Sequence, residues 1–399
     1  MTADSETSDT DTSGSETSES GPRVAVVGGG AVGVTAAYDL ARRGASVVLY
    51  EKGEIAGGST GRAAGVLYDA FAAPEDARVG DRAMERFREF SGEGDFEFHE
   101  TPYVWFAREG DEKRADAIRT QVPRMQERGR DVSLVDSETL EERFPAANWR
   151  DVGVAAVAEN AGHADTASYA ELLAAKARDA GAEIRTGTEV RVVTGELRVE
   201  SVEDADGRAE ASESFDAILV AAGAHTKRLL AVAGIPVPLK PYRVQALTAG
   251  FSEKRRTDLP MLYDATASYY LRPHSDGLLA GDGTEKVESD PDDWNRDADP
   301  EFREMTREQL GHRLGEFGAT RESWAGLCVA TPDRDPLLGE LREGLFVAAG
   351  WQGHGFMRSS ALGEAAAEAV LGENPLPEFD PNRFDGDEEF DVVEGMTIE

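Results

Sequence analysis

Residues 23–51 read RVAVV at 23–27, GGGAVG at 28–33, VTAAYDLARR at 34–43 and SVVLY at 46–50, closing on Glu51. An apolar run, a glycine-rich turn, an amphipathic run and a second apolar run in that order spell strand, loop, helix and parallel strand. The glycines give the loop its meaning. Gly28 permits the sharp turn out of the strand, Gly30 lets backbone approach a pyrophosphate, and Gly33 allows helix and sheet to close on one another. The helix N-terminus at Ala31 and Val32 offers partial positive charge to phosphates. Glu51 follows Gly28 by 23 residues, the offset at which an acid meets a ribose hydroxyl, and Lys52 stands beside it. The stretch is therefore a dinucleotide-binding βαβ unit.

Outward from it, 399 residues exceed one ordinary core, and about two domains are expected. Residues 168–180 have helical spacing, with Gly181 as C-terminal cap. Residues 189–193, which hold the cofactor-binding candidate Val190, then 197–202 and 209–214, read as a β-meander. The segment 216–223 is an apolar strand ending on Ala222 and Gly223, small residues that admit a ligand at a sheet's carboxyl edge. Short strands over 243–249, 268–272 and 278–280, and a polar helix over 301–317, form a second unit. The expected fold is α/β: a Rossmann-like dinucleotide-binding domain of glutathione-reductase-like type, a βαβ unit with a β-meander, plus an α+β substrate domain on a mainly antiparallel sheet. The expected division is 22–75, 150–233 and 325–372 for the first, 76–149 and 234–324 for the second. Residues 1–21 and 373–399, rich in acid with Ser, Thr or Pro, are expected to be disordered tails.

The net charge of −35 comes from 77 acidic against 42 basic residues, which argues against nucleic acid or an anionic membrane as partner. Acid spread along the whole chain suits the solvated surface of a protein from a salty cytoplasm. A single cysteine, Cys328, excludes an internal disulfide and disfavours a cysteine-rich metal site, so no metal is expected. No apolar run reaches the roughly 18 residues that a bilayer requires, and residues 1–21 lack the basic and apolar regions of a leader.

Six segments together resemble the flavin amine oxidoreductases, the family of D-amino-acid, glycine and sarcosine oxidases and of the dimethylglycine and sarcosine dehydrogenases. They are the glycine loop at 28–33, GSTGRAAGV at 58–66, AGHAD at 161–165, AAGA at 221–224, WAGL at 324–327 with TPD at 331–333, and GWQGHGF at 350–356. The resemblance implies FAD extended across one domain and roofed by the other. Ser59 and Thr60 then place hydroxyls along the cofactor's phosphates and ribityl chain, while Ala64, Gly65 and Val66 let backbone lie against a flat ring. Gly350, Gly353, His354, Gly355, Phe356 and Met357 lead into a helix whose N-terminus would stabilise negative charge on the flavin.

The departures from the family are as informative. The histidine that carries the flavin covalently in dimethylglycine dehydrogenases matches Arg62, and the linking cysteine of monomeric sarcosine oxidases matches Gly326, so non-covalent FAD is expected. The carboxylate-binding Arg of glycine oxidase matches Cys328, and the Lys of sarcosine oxidase matches Met357. An amino-acid carboxylate buried without a cation would cost several kcal/mol, so another anchor is required. Arg272, Arg62, Arg358 and Arg243 are candidates. Arg272 is favoured because strand alternation puts it on one face with Tyr270; the competing reading makes it a surface ion-pair partner. His354, His274 and Tyr270 are candidates for holding the amine neutral, with structural roles as the alternative.

The expected reaction is oxidation of a C–N bond in a small amino acid or N-methylated glycine by hydride transfer to flavin, with oxygen or an electron carrier as acceptor. Competing readings are a flavin-dependent 2-hydroxy-acid dehydrogenase, a flavin-holding electron-transfer subunit working with a protein partner, and an NAD-dependent dehydrogenase. The last is weakened because nothing after residue 60 resembles a nicotinamide site.

Overall fold

The computed structural model describes residues 21–202 and 209–393. The expected N-terminal tail lies outside the described residues up to position 20, as do residues 394–399.

The opening stretch forms strand Arg23–Val27, helix Ala31–Arg42 and strand Ser46–Tyr50. They seed a six-stranded sheet in the order Leu337–Arg342, Leu345–Ala349, Ala217–Val220, Arg23–Val27, Ser46–Tyr50, Glu183–Arg185. Every neighbouring pair is parallel except Leu337–Arg342 with Leu345–Ala349. Gly33 sets the closeness of helix to loop: a Cβ there would stand 2.0 Å from the Gly28 carbonyl oxygen. The meander Val190–Val193, Arg198–Val202 and Ala209–Ser214 is antiparallel, and Val190, Val192 and Val199 share a core with Ile218 and Val220 of the sheet.

On the other face, helices Ala31–Arg42, Pro74–Phe90, Thr166–Asp179 and Gly355–Val370 bury Leu40, Phe87, Tyr169 and Leu362 in one core. Phe87 lies 5.0 Å from Tyr169 and 5.4 Å from Phe356, centroid to centroid, contacts worth about 0.5–1.5 kcal/mol each beyond their buried area. Asp39, fully buried, pairs with the 2% exposed Arg86 at 2.7 Å. The segment 76–98, expected in the second unit, thus packs in the first: Val79, Met84, Phe87, Phe96 and Phe98 all join this core. The periodicity of Pro74–Phe90 marks a helix but does not say which sheet its apolar face meets.

The second unit is an eight-stranded sheet in the order Thr320–Ala330, Lys240–Gly250, Gly277–Asp282, Tyr269–His274, Met261–Asp264, Tyr103–Arg108, Val152–Ala158, Val132–Val135. It is antiparallel apart from Met261–Asp264 beside Tyr103–Arg108. Val152–Ala158 and all of Thr320–Ala330 belong here, so the expected boundaries near 150 and 325 both shift. One register row crosses five strands: Trp324 opposite Ala246, Ala246 opposite Gly281, Gly281 opposite Tyr270, and Tyr270 opposite Tyr263.

The C-terminal segment corrects the expectation of a disordered tail. Leu376 and Phe379 are buried in the helical core, and Val392 packs with Tyr242 and Ala330. The Gln352 amide donates to the Val393 carbonyl oxygen, and Lys240 Nζ donates to the Phe390 carbonyl oxygen at 2.6 Å. Acid and proline dominate the composition there, but a few spaced apolar residues suffice to dock it.

Candidate active site

Between the parallel sheet and the eight-stranded sheet lies a cavity of about 790 Å³, within the usual 300–1,000 Å³ range of ligand sites. Gly28, Gly30, Ala31 and Val32 form one wall. The helix behind them has no acidic residue in its first turn, so its partial positive charge is uncompensated there. Glu51, Lys52, Val190, Ala222 and Gly223 line the same cavity. Glu51 accepts from the Gly29 N–H at 2.8 Å and the Gly53 N–H at 2.7 Å, which ties the end of the second strand to the glycine loop. Lys52 Nζ stands 2.8 Å from His225 Nε2.

The floor continues through Ser59, Thr60, Arg62, Ala64, Gly65 and Val66. Thr60 Oγ1 accepts from the Ala31 N–H at 3.0 Å and Ser59 Oγ donates to the Leu327 carbonyl oxygen at 2.6 Å. These hydroxyls lock the loop to the helix start and to the second sheet. Gly65, at φ +68, has no room for a Cβ: it would lie 2.1 Å from the Ala164 carbonyl oxygen. At the far end Gly353, Gly355, Phe356 and Met357 line the cavity. Helix Gly355–Val370 also begins without a side-chain cap or an acid in its first turn.

These features fit FAD. Two helix N-termini free of acid face one elongated cavity, and at Gly58 and Gly223, both in its lining, a Cβ would meet nothing within 4 Å. Space is therefore left along the path that the loops define.

Several expected residues stand elsewhere. Gly33 and Gly350 shape backbone behind the lining; a Cβ on Gly350 would meet Thr331 Cγ2 at 2.5 Å. His354 is not in the lining. Its Nε2 lies 3.5 Å from the Tyr68 hydroxyl and its ring meets Phe71 edge-on at 6.0 Å. Burial, with Arg358 adding to it, pulls its pKa down to about 3, so it is a neutral packed ring and not a base in the cavity. Arg272, the favoured anchor, is likewise turned away. Its guanidinium donates to the carbonyl oxygens of Ala64 and Pro273 and lies 3.5 Å from His163 Nδ1. Tyr270, two residues back on the same face, does line the cavity. The alternation was right, but two residues of strand, roughly 7 Å, carry Arg272 beneath the Ala64 loop.

Arg243 is committed to Glu285 and Asp299, and Arg358 to Asp76. Of the four expected anchors only Arg62 reaches the cavity. Sequence reasoning missed Arg296, Trp294 and Asp282, which also line it. Arg296 and Trp294 lie in the acidic connection after Gly277–Asp282, whose only signal was polarity. Asp282 has φ +142, and burial raises its carboxyl pKa above the ordinary value against the pull of Thr284. Cys328 lines the cavity too. Among the described residues, no group of three or more His, Cys, Asp or Glu is placed to hold a metal, and no helix is long and apolar enough to cross a membrane.

Fold and cavity define a dinucleotide-binding oxidoreductase with a roofed cofactor site. The chain belongs to the FAD-dependent oxidoreductase family, whose sequence profile matches residues 23–369. It is 29% identical to human mitochondrial dimethylglycine dehydrogenase over 387 residues, 90% of this chain and 44% of that protein. It is 28% identical to the glycine oxidase of Bacillus licheniformis, covering 88% of this chain and 93% of that one. In three dimensions it resembles L-proline dehydrogenase from P. horikoshii, with TM-score 0.79 and 28% identity, covering 91% of this chain and 98% of the other. The chain spans less than half the length of the dimethylglycine dehydrogenases that it matches.

Proposed function

We propose that the protein oxidises the C–N bond of a small amino acid or N-methylated amino acid with non-covalent FAD, giving an imine that hydrolyses in water. The observation that carries this over the hydroxy-acid reading is the composition of the roof. Removing hydride from an alcohol requires a base for the hydroxyl proton, and neither His354 nor His274 lines the cavity. His225, the lining histidine among the described residues, lies beside Lys52 and Asp292 next to Glu51. The roof instead offers Tyr263 and Tyr270, a cross-strand pair, with Asp282 nearby. An amine needs only to be held neutral with its α-C–H over the ring, a task of positioning and desolvation.

When bound, FAD supplies the hydride acceptor. Tyr263, Tyr270 and Trp324 form an apolar wall that orients the substrate and limits water, and the Asp282 carboxylate beside them accepts from the Thr284 hydroxyl at 2.8 Å. The free N–H end of helix Gly355–Val370 offers partial positive charge at its end of the cavity. The names of the relatives, dimethylglycine dehydrogenase, glycine oxidase and L-proline dehydrogenase, support the amine class. Arg62 in place of a linking histidine supports a non-covalent cofactor. The acidic surface supports a cytoplasm of high salt as the setting, and oxygen or an electron carrier remains the acceptor.

The test is anaerobic addition of sarcosine, dimethylglycine, glycine, proline and 2-hydroxyglutarate to the yellow protein in molar salt. Bleaching by an amine but not by the hydroxy acid is expected. Bleaching by the hydroxy acid alone overturns the assignment, and bleaching by none of them favours the electron-transfer subunit.

A further inference from the structure

The roof is electrically polarised. At the Trp324 end of the five-strand row, the Trp324 indole N–H donates to the Arg62 carbonyl oxygen at 3.0 Å, and Arg62 Nη1 donates to the Ala325 carbonyl oxygen at 3.0 Å. The first bond ties the Arg62 backbone to the roof and the second its side chain. Its guanidinium carbon lies 5.8 Å from the centre of the Trp294 ring, and that of Arg296 lies 5.1 Å from the same ring. Two guanidinium groups thus gather on one indole at the cavity wall. Among the described residues no carboxylate forms an ion pair with either, in a chain where most arginines have one; Asp297 is the acid whose charge Arg62 senses. Like charges held together repel unless an anion joins them.

The geometry points to Arg62 and Arg296, braced by Trp294, as the slot that takes the carboxylate of the substrate. This rests on the amino-acid reading above and supplies the anchor lost at Cys328 and Met357. The planar guanidinium matches a carboxylate in two parallel hydrogen bonds, and Trp294 holds both planes in place. Asp282 lies on the third strand of the roof counted from Thr320–Ala330, and the tyrosine pair on the fourth and fifth.

The probe is methoxyacetate, which has the carboxylate and shape of sarcosine but no amine to oxidise, titrated into the holoenzyme and followed by the perturbation of the flavin spectrum. Arg296→Gln is expected to raise its dissociation constant about tenfold or more, as for loss of a charge-assisted pair, with Arg296→Lys recovering part. Methoxyacetamide, lacking the charge, should bind both forms alike, and FAD affinity, measured by fluorescence of released cofactor, should not change. Equal binding of methoxyacetate to wild type and Arg296→Gln overturns the slot, as does a variant that loses FAD while its methoxyacetate affinity holds, since the anion would then be the cofactor's phosphate. The two readings fail separately. If no amine bleaches the flavin but methoxyacetate binding still depends on Arg296, the slot stands and the amine assignment falls; if an amine bleaches it and Arg296 is silent, the reverse holds.

Discussion

The floor and the roof of the cavity are made in different ways. The floor is backbone: Gly28, Gly30, Gly65 and Gly355 matter for the side chain they lack, and two helix ends supply its charge. The roof is side chain: Tyr263, Tyr270, Asp282, Trp294 and Arg296 arrive from strands and loops that meet only in the folded sheet. A floor built of backbone can hold one flat, phosphate-bearing cofactor and little else. A roof built of side chains can change its substrate without disturbing that cofactor.

The largest effect should come from breaking the floor. Gly33→Ala places a Cβ 2.0 Å from the Gly28 carbonyl oxygen, a backbone atom that cannot step aside. The glycine loop must move, and the variant is expected to purify without yellow colour or not to fold. A 450 nm to 280 nm absorbance ratio equal to that of wild type would show that the loop is not what holds FAD.

This difference also governs how much was legible in the sequence. The βαβ unit could be read because its physics is local: a Cβ at Gly33 fails against Gly28, five residues away. The meander and the apolar strand expected at 216–223, found as Ala217–Val220, could be read for the same reason. The roof was legible only as strands. Which residues face the cavity depends on register between distant segments, such as Trp324 opposite Ala246 and Gly281 opposite Tyr270. Hence Tyr270 was found, Arg272 was found for the wrong task, and Arg296 was not found at all. His354 misled because its neighbours Gly353 and Gly355 do line the cavity while its own ring turns toward Tyr68 and Phe71. The docked C-terminal segment was illegible because its partners, Tyr242, Ala330 and Gln352, lie far back in the chain.

A change in the roof should separate the two regions kinetically. Tyr270 packs over Gly281, where a Cβ would stand 2.2 Å from the phenol oxygen. Tyr270→Ala removes this wall beside Tyr263. The FAD content is expected to match wild type, while kcat/KM for the bleaching amine falls about 10- to 100-fold, the scale of lost positioning. Loss of FAD together with activity would mean that floor and roof are one unit, contrary to the contrast drawn here.

The smallest effect concerns two half-buried histidines outside the cavity lining. His354 and His163 are both held at a pKa of about 3, chiefly by burial, with Arg358 beside the first and Arg272 beside the second. Against an unfolded value near 6.5, the unfolded chain binds more protons than the native one between pH 6.5 and 3. Stability contributed by each neutral ring is therefore full above pH 6.5 and declines as pH falls below it, by up to about 1.4 kcal/mol per pH unit for each histidine. His354→Gln removes one of the two. Its melting temperature should fall less than that of wild type between pH 7.5 and 5, by an amount equivalent to about 1–2 kcal/mol, whatever the surface carboxylates contribute to both. The rate of anaerobic flavin reduction should meanwhile show no ionisation between pH 6 and 9 that disappears in the variant. If it does show one, His354 titrates in the cavity as a base, and the separation between a backbone floor and a side-chain roof fails at the turn where the two meet.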